Sequence, residues 1–383
     1  MRAVTIYLDN NATTRVADEV IAAMSPYYRE HYGNAHAIHA LGRRSHDAVE
    51  ESRAGVAALL GSEPSEVIFT SCGTEGNALV IRGLLDRDPN RRKVVTTSVE
   101  HPSVLTLLQA LERARQIELA VVPVDEEGAI DLDAMKAAID ERTLLVSVML
   151  AQNETGVIHP VARIGELAHA RGALLHVDAV QAAGKIPVHQ RELDADFITI
   201  SGHKFHAPKG VGALTIRKGL TLQPLWYGGG QELGLRSGTE PVPSIVGLAT
   251  AARLASDALS SFDRVRALRD RLEAEIAAIE ETSVNGVTQP RLGNTANISF
   301  HDIAADELVR ALDRDGICAS AGAACHSGKV EPSGTMKAMH KPLRVAMGAV
   351  RFSLSRHTTE TEISAAVTAV RQHVAELRRS VTV

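Results

Sequence analysis

The chain has 383 residues, of which 45% are hydrophobic and 23% charged, and its formal net charge is -5. A chain of this length buries a sizeable core and is better explained by two domains than by one. Because the net charge is small and the basic residues are scattered, the composition argues against nucleic-acid or anionic-membrane binding and favours small-molecule chemistry.

Helical periodicity covers residues 17–32 and 43–60, and strands and helices then alternate from residue 66 to residue 217. This alternation predicts an α/β fold with a mainly parallel sheet covered on both faces and ligands at the carboxyl ends of the strands. From Val242 the pattern predicts one long helical stretch through Glu281, then short strands and an amphipathic helix over residues 359–379. We interpret this region as a second, smaller α+β domain.

The sequence shows neither a targeting signal nor a cysteine spacing typical of disulfide frameworks or zinc sites. The N-terminus, MRAVTIYLDNNATT, has no apolar signal core, and no run approaches the roughly 20 apolar residues of a membrane helix, so a cytoplasmic location is expected. Cys72, Cys318 and Cys325 have no CxxC spacing, which supports neither a disulfide framework nor a zinc site. Histidine pairs such as His36/His39 come without a third ligand, so no metal is expected.

Two charged residues end apolar strands. Lys204, in ITISGHKFHAPKG, would lose hydration there, and a desolvated lysine is the residue type that forms Schiff bases; a lysine reaching solvent is the alternative. Asp178, in LLHVDAVQ, needs a cationic partner, which the protonated pyridine nitrogen of pyridoxal 5'-phosphate (PLP) would supply; a turn cap is the alternative. Gln181 could reach a neighbouring ring substituent.

The stretch SCGTEGNALV indicates a phosphate site. Gly73 and Thr74 lie where a helix begins, and free N–H groups and the helix dipole attract phosphate at such a position. Ser201 and His203, beside the lysine, could bind the same phosphate. An ordinary N-cap explains the motif equally well.

Three further polar residues lie in or beside strands. His101, in SVEHPSV, could lie over a flat ring or handle protons, although a capping or core histidine fits as well. Asn153, in AQNETG, lies at a strand end, where turn formation is the alternative. Arg351, inside the apolar GAVRFSLS, predicts pairing with a carboxylate, either of a substrate or of the protein.

Cys325 lies in CASAGAACHSGKVEPSG, a run of small residues and glycines. This composition predicts a mobile, exposed loop, and exposure suits a nucleophilic thiol better than a structural one. Cys72 and Cys318, in or beside strands, are expected to be ordinary core residues or to lie behind the site.

In this order, these residues resemble the cysteine desulfurases of the NifS/IscS type, in the class V branch of PLP-dependent fold type I enzymes. The resemblance covers nearly the whole chain through the motifs YLDNNATT, GNAHAIH, SCGTEGN, VEHPSV, QNETG, HVDAVQAAGK, SGHKFHAPKG, RSGTE, SAGAACHSG and RFSLSRHTT. It implies a large PLP-binding domain over residues 15–255, with a mainly parallel seven-stranded sheet. A smaller α+β domain over residues 1–14 and 256–383 would carry the cysteine loop.

The resemblance also implies a role for each candidate residue. Those assigned to PLP are Lys204 for covalent attachment, Asp178 for the pyridine nitrogen, His101 for ring stacking, Asn153 and Gln181 for the ring hydroxyl, and Gly73, Thr74, Ser201 and His203 for the phosphate. Thr239, in RSGTE, would complete the phosphate site of a partner subunit, so a homodimer is expected. Arg351, Asn34 and Asn153 would bind L-cysteine.

The implied reaction converts L-cysteine to L-alanine and leaves a persulfide on Cys325. The sulfur would pass to a protein acceptor, such as a scaffold for iron–sulfur cluster assembly. The sequence departs from the family at Ala35, where proline is usual, and at Gln152, where asparagine is common. Selenocysteine lyases have a loop similar to GAACHSG, so that activity stays open, as do a role in tRNA or DNA thiolation and a sulfur-relay or scaffold protein without PLP.

Overall fold

The structure is a computed structural model that describes residues 5–88, 90–322, 324–326 and 329–381. The side chains of residues 261, 324–326, 329–330 and 380–381 lie outside that description. Cys325 is therefore described by its backbone alone.

The described strands fall into a large central sheet, a smaller sheet and two short pairs. They are β1 (Ile6–Tyr7), β2 (Val67–Thr70), β3 (Lys93–Thr97), β4 (Glu118–Val122), β5 (Thr143–Met149), β6 (Leu174–Asp178), β7 (Phe197–Ser201), β8 (Gly212–Ile216), β9 (Thr282–Val284), β10 (Thr295–Phe300), β11 (Ile317–Cys318), β12 (Ser320–Ala321), β13 (Ala324–His326), β14 (Lys329–Glu331) and β15 (Ala349–Ser353).

Helices cover both sheets. They are α1 (Asp18–Met24), α2 (Pro26–Arg29), α3 (Ala40–Leu60), α4 (Gly73–Arg87), α5 (Pro102–Arg113), α6 (Leu132–Ala138), α7 (Val161–His169), α8 (Val242–Ala258), α9 (Phe262–Ala277), α10 (Ala305–Arg314), α11 (Gly334–Ala338), α12 (Leu343–Ala346) and α13 (Glu360–Val381). Single 3-10 turns span Pro64–Glu66, Gly202–Lys204, Glu232–Gly234 and Leu259–Ser261. None of the helices in the described part of the chain has the length and apolar character to span a bilayer.

The central sheet has the strand order β2-β8-β7-β6-β5-β3-β4 within the described residues. The pairs from β7 to β4 are parallel, whereas β8 runs antiparallel to both β2 and β7. Every residue of β5 and β7 is buried, as expected for strands covered on both faces. The predicted mainly parallel α/β fold is confirmed.

Successive side chains of a central strand enter two different cores. Along β7, Phe197 packs with Leu79 and Leu108 of α4 and α5, whereas Ile198 and Ile200 pack on the opposite face. This alternation follows from the two-residue period of a strand. Burying such a side chain completely contributes about 1.5 to 3 kcal/mol, so both faces hold the helices against the sheet.

A second sheet, with the order β12-β15-β10-β9, forms the centre of the smaller α+β region. Phe300 and Phe352 of this sheet pack against α9, α10 and α13 in a separate hydrophobic core, which also includes Leu8. The segment around Leu8 joins this region because β1 pairs with β11 and Asp9 forms a bridge with Ser353. The domain bounds expected from the sequence stay a prediction.

The predicted helical stretch from Val242 through Glu281 is wrong. The Leu259 backbone N–H donates to the Ser256 carbonyl three residues earlier, and a 3-10 turn over Leu259–Ser261 replaces α-helical bonding there. The helix therefore divides into α8 and α9. The periodic residues 17–32 likewise form two helices, because Pro26 has no N–H to continue the first one and begins α2 instead.

Candidate active site

A cavity of about 280 Å³ lies at the carboxyl ends of the central strands, between the large sheet and β15 of the smaller region. This is the edge at which α/β folds bind ligands. The predicted residues that line it are Gly73, Thr74, His101, Asn153, Asp178, Gln181, Ser201, His203, Lys204 and Arg351. The folded chain thus brings together most of the candidates from the sequence.

Lys204 ends the short 3-10 turn that follows β7, and its side chain is half-buried. Nζ donates to the carbonyl oxygens of Asn11 at 2.7 Å and Ala12 at 2.9 Å. Burial, together with repulsion from Arg351, lowers the pKa of Lys204 to about 8, against the opposing attraction of Asp178. A larger fraction of this amine is therefore neutral near pH 7 than for an ordinary lysine, and the neutral amine is the form that attacks a carbonyl.

Asp178 ends β6 and is buried, with 5% of its surface exposed. Its Oδ2 accepts a hydrogen bond from Asn77 Nδ2 at 2.8 Å, and its Oδ1 accepts one from the Val180 backbone N–H at 3.0 Å. Within the described part of the chain, it forms no ion pair. A buried carboxylate at a cavity wall fits a protonated pyridine nitrogen, which would supply the missing cation.

The start of α4 fits a phosphate group. The N-cap residue, Cys72, provides no side-chain cap, so first-turn N–H groups are available to a ligand. A Cβ atom at Gly73 would meet Val180 Cγ2 at 2.6 Å, which leaves room only for glycine. Ser201 Oγ is buried at the same cavity and has no partner among the described residues. An anion here would satisfy both sets of donors.

His203 borders this end of the cavity beside Lys204. Its Nδ1 lies 3.2 Å from Thr13 Oγ1. Burial, reinforced by the positive charges of Lys204 and Lys209, lowers its pKa to about 4. The imidazole is therefore neutral at pH 7.

Gln181 lines the cavity, but its amide is engaged by the protein. Nε2 donates to the Asn11 carbonyl at 2.9 Å, and Oε1 accepts from Lys185 Nζ at 2.7 Å. Lys185 also donates to Asn11 Oδ1 at 3.1 Å, and burial holds its pKa well below the usual range. Sequence reasoning gave no role to Asn11 or Lys185, although both lie within the quoted motifs YLDNNATT and HVDAVQAAGK.

Arg351 reaches the cavity from β15 and is nearly buried. One terminal nitrogen donates to Asp9 Oδ1 at 2.7 Å, and the other donates to the Asn153 carbonyl at 2.9 Å. Its Nε is buried and has no partner in the described part of the protein. A protein carboxylate therefore occupies one corner of the guanidinium, and Nε remains available.

Asn34 and Thr239 do not line this cavity. Asn34 is exposed, and its Oδ1 accepts a hydrogen bond from the His36 backbone N–H at 2.9 Å. Thr239 is exposed as well, three residues after Arg236, whose Nε donates to Glu75 Oε1 at 3.1 Å. This bond ties the Thr239 segment to the first turn of α4.

The segment around Cys325 was expected to be a mobile loop. Its described backbone forms the antiparallel pair β13–β14, with Cys325 opposite Val330, and the side chain of Cys325 lies outside the described residues. Beyond the pair, Thr335 in α11 donates to Glu154 Oε1 at 2.7 Å and accepts from Gln152 Nε2 at 2.8 Å. Gln152, the departure from the family pattern, thus has a defined partner.

The other two cysteines are free and partly exposed. Cys72 lines the cavity, whereas Cys318 lies in β11, where burial raises the pKa of its thiol. No cluster of three or more histidine, cysteine or acidic side chains able to hold a metal occurs among the described residues.

The fold and this cavity match a known class of enzymes. The family model "Aminotransferase class-V" matches residues 6–366, so the chain belongs to the class-V aminotransferase family, whose members use PLP. "Cysteine desulfurase 2" of Trichormus variabilis (strain ATCC 29413 / PCC 7937) is 49% identical over 359 residues, which cover 94% of this chain and 90% of that protein. The chain belongs, more narrowly, to the cysteine desulfurases, as its motifs predicted.

Solved structures agree with this assignment. A NifS-like protein superposes with a TM-score of 0.91 at 37% identity and covers 98% of this chain and 100% of its own. A structure described as SspA in complex with cysteine superposes with a TM-score of 0.80 at 30% identity, covering 92% of this chain and 99% of its own. The comparisons favour a PLP-dependent enzyme over the alternative of a scaffold protein without PLP.

Proposed function

We propose that this enzyme takes sulfur from L-cysteine, releases L-alanine and carries the sulfur as a persulfide on Cys325. The observation that supports this most directly is the convergence of Lys204, Asp178 and Arg351 on one cavity. A NifS-like protein and a relative solved with cysteine bound are both similar over nearly the whole chain. The balanced reaction is L-cysteine plus the Cys325 thiol to L-alanine plus the Cys325 persulfide.

Each cavity residue has a task in this proposal. Lys204 Nζ would attach PLP and, once released by substrate, move the proton at the substrate Cα. Asp178 would accept a hydrogen bond from the ring nitrogen, and the first turn of α4 with Ser201 would hold the phosphate. PLP, when bound, supplies an electron sink for the carbanion at Cα. Arg351 would hold the substrate carboxylate through Nε and a terminal nitrogen.

Sulfur transfer in this proposal depends on the Cys325 thiolate. Its Sγ would form a bond with the sulfur of the substrate, while the substrate bond between Cβ and sulfur breaks. Cβ receives the electron pair of that broken bond and a proton, which completes the methyl group of alanine. The thiolate is the reactive form of cysteine, so the step requires deprotonation of Cys325.

The experiment is to incubate the purified enzyme with L-cysteine and a reductant and to quantify alanine and sulfide together. Wild type should produce equal amounts, and Cys325→Ser should produce neither while keeping the absorption of bound PLP. Cys318→Ser, outside the cavity, is the matched control and should behave as wild type. Absence of alanine from wild type, or full activity in Cys325→Ser, would contradict the proposal.

We further propose that two copies of the chain share their sites, with Thr239 of one chain completing the phosphate site of the other. Thr239 is exposed, and its segment is held at the start of α4 by Arg236. Tyr227 (81% exposed) and Leu233 (74% exposed) precede it, and exposed large apolar side chains favour a partner surface.

Subunit mixing tests this arrangement. Lys204→Ala and Thr239→Ala chains should each have low activity alone, because one lacks the attachment lysine and the other a phosphate ligand. A mixed dimer has one site that combines an intact Lys204 with an intact Thr239 from the other chain, so co-expression should restore activity at that site. Unrestored activity in an isolated mixed dimer would contradict sharing across subunits.

Iron–sulfur cluster assembly is the proposed use of the sulfur, supported by similarity to a NifS-like protein. Labelled sulfur on Cys325 should then move to a purified iron–sulfur scaffold protein on non-reducing gels. Selenocysteine is the substrate to compare with L-cysteine, since a lyase for selenocysteine would turn it over preferentially. Transfer to a tRNA- or DNA-thiolating protein, and none to the scaffold, would support the thiolation alternative.

A further inference from the structure

His101 caps the helix that follows it. The first residue of α5 is Pro102, which has no N–H, so Ser103 provides the first backbone donor of this helix. His101 Nδ1 accepts that hydrogen bond at 3.1 Å. An imidazole nitrogen thus fills the place that serine, threonine or aspartate commonly fills at an N-cap.

This capping bond determines which nitrogen of His101 carries the proton. A backbone N–H can only donate, so Nδ1 must present its lone pair. In a neutral imidazole the proton then resides on Nε2. Nε2 has no partner within the described part of the chain, and the ring lines the cavity, so this N–H is available to a ligand.

A second donor reaches the same nitrogen. Ser103 Oγ lies 2.8 Å from His101 Nδ1, and Asn77 Nδ2 lies 2.9 Å from Ser103 Oγ. Since the amide of Asn77 donates to the hydroxyl oxygen, the hydroxyl proton is directed at Nδ1. Both the backbone and the side chain of Ser103 therefore donate to Nδ1.

The orientation of Asn77 follows from Asp178. Nδ2 lies 2.8 Å from Asp178 Oδ2, so one amide hydrogen goes to the carboxylate and the other goes to Ser103. The reversed amide would set its oxygen against the carboxylate, which is repulsive and leaves two acceptors facing each other. Donation therefore runs outward from Asn77, to Asp178 on one side and through the Ser103 hydroxyl to His101 on the other.

We propose that Ser103 and Asn77 are positioning residues that keep His101 neutral with its proton on Nε2, where it serves as a hydrogen-bond donor to an anionic atom of the substrate. The proposal rests on the proposed function, because it takes the cavity beside Lys204 as the site of reaction. A thiolate sulfur or a carboxylate oxygen is the class of atom that this N–H would bind.

Burial of the ring is consistent with a neutral His101. Loss of hydration lowers the pKa of His101; the negative charge of Asp178 opposes this, and the positive charge of Lys204 adds a smaller lowering. A protonated Nδ1 would also point a hydrogen at the Ser103 N–H and remove the cap of α5. Protonation of His101 therefore requires a charged ring in a poorly hydrated position and removes a helix-capping bond.

The experiment compares Ser103→Ala and Ser103→Thr in the holoenzyme, with Ser98→Ala as the matched control. Ser98 Oγ is buried close to His101 in sequence but has no partner among the described residues. Nitrogen-15 solid-state NMR of histidine-labelled enzyme reports the tautomer and pKa of His101, and a His101→Gln sample identifies its signals.

Wild type should show the Nε2-protonated neutral ring at pH 7. Ser103→Ala should raise the pKa of His101 by roughly 0.5 to 1 pH unit, because the neutral form loses one hydrogen bond. Ser103→Thr keeps the hydroxyl and should restore the wild-type value, and Ser98→Ala should not change it. In Ser103→Ala, the acidic limb of the pH profile for alanine formation should shift to higher pH together with the pKa of His101.

An Nδ1-protonated ring in wild type, or equal pKa values in wild type and Ser103→Ala, would overturn the proposal. Alanine formation by the same samples separates this from the proposed function. If wild type forms no alanine but the NMR results are as expected, the proposed reaction fails and the positioning of His101 stands. If alanine forms but Ser103→Ala leaves the tautomer and the pKa of His101 unchanged, the proposed reaction stands and only the positioning role of Ser103 is contradicted.

Discussion

Gln152 Nε2 and Thr335 Oγ1 lie 2.8 Å apart, although 183 positions separate the two residues in the chain. The same hydroxyl donates to Glu154 Oε1, whose carboxylate is buried, and burial raises the pKa of Glu154. This arrangement fastens the start of α11, ten residues after Cys325, to the segment that carries Asn153. One hydroxyl thus connects the cavity wall to the end of the cysteine segment.

Thr335→Val should loosen this connection. The variant removes one donor to the buried Glu154 carboxylate and the shortest acceptor of the Gln152 amide, and losing such partners costs about 1 to 3 kcal/mol. Hydrogen exchange of the α11 amides should accelerate by at least tenfold, which corresponds to about 1.4 kcal/mol. Thr368→Val makes the same change on an exposed face of α13 and should leave α11 unaffected. Unchanged exchange in Thr335→Val would contradict this role.

Arg351 should bind the substrate carboxylate through the guanidinium N–H groups that its bonds to Asp9 and the Asn153 carbonyl leave free. Arg351→Lys loses the planar fork and should raise KM for L-cysteine by about ten- to a hundredfold. Steady-state kinetics measure this, and Arg344→Lys, in an exposed ion pair with Glu281, is the control. A KM within twofold of wild type would argue against substrate binding by Arg351.

The attachment of PLP to Lys204 should depend on pH. The neutral amine is reactive, so the rate with apoenzyme should rise with pH and level off above the pKa of about 8. Arg351→Met removes a positive charge that lowers this pKa, so the transition should move to higher pH. Stopped-flow absorbance measures the rate, and a transition near the ordinary lysine value in wild type would contradict the assignment.

His159 should make folding sensitive to acid. Both ring nitrogens are buried without a partner among the described residues, and burial lowers its pKa to about 4. As pH falls below about 6.5, the unfolded chain takes up a proton that the folded chain does not, so stability decreases by about 2 kcal/mol between pH 7 and pH 5. His159→Leu should remove this loss.

Thermal unfolding at the two pH values measures the effect. His46→Leu changes an exposed histidine in the same way and should retain the wild-type pH dependence. If His159→Leu and wild type lose equal stability between pH 7 and pH 5, another group causes the loss. An increase in the Tm of His159→Leu at pH 7 is also expected, because two unpaired polar atoms are removed.

The strand-end residues could be predicted from sequence because an apolar run followed by a polar residue indicates where a buried strand stops. Asp178, Ser201 and Lys204 all follow this pattern. The residues that orient them, such as Asn11 and Asn77, could not be assigned in this way. Their roles depend on bonds between segments that meet only in the folded chain.

Local sequence patterns also failed to predict contacts between residues that are far apart in the chain. Arg351 pairs with Asp9 across 342 positions, and periodicity in one segment cannot indicate such a partner. The division of α8 from α9 was missed for a different reason. Its apolar periodicity continues across Ser260, and the change to 3-10 bonding at Leu259–Ser261 leaves no mark in that pattern.

The acceptors for Lys204 Nζ are the Asn11 and Ala12 carbonyls, in a segment that is itself held by partners at the other end of the chain. The Asn11 backbone N–H donates to Ser353 Oγ, 342 positions later. Asn11 also bonds to Gln181 and Lys185, so during synthesis its segment can dock on the central sheet first and gains its Ser353 partner only when β15 has been translated. The wall of the lysine pocket is therefore complete only after translation of β15, which supplies both Ser353 and Arg351.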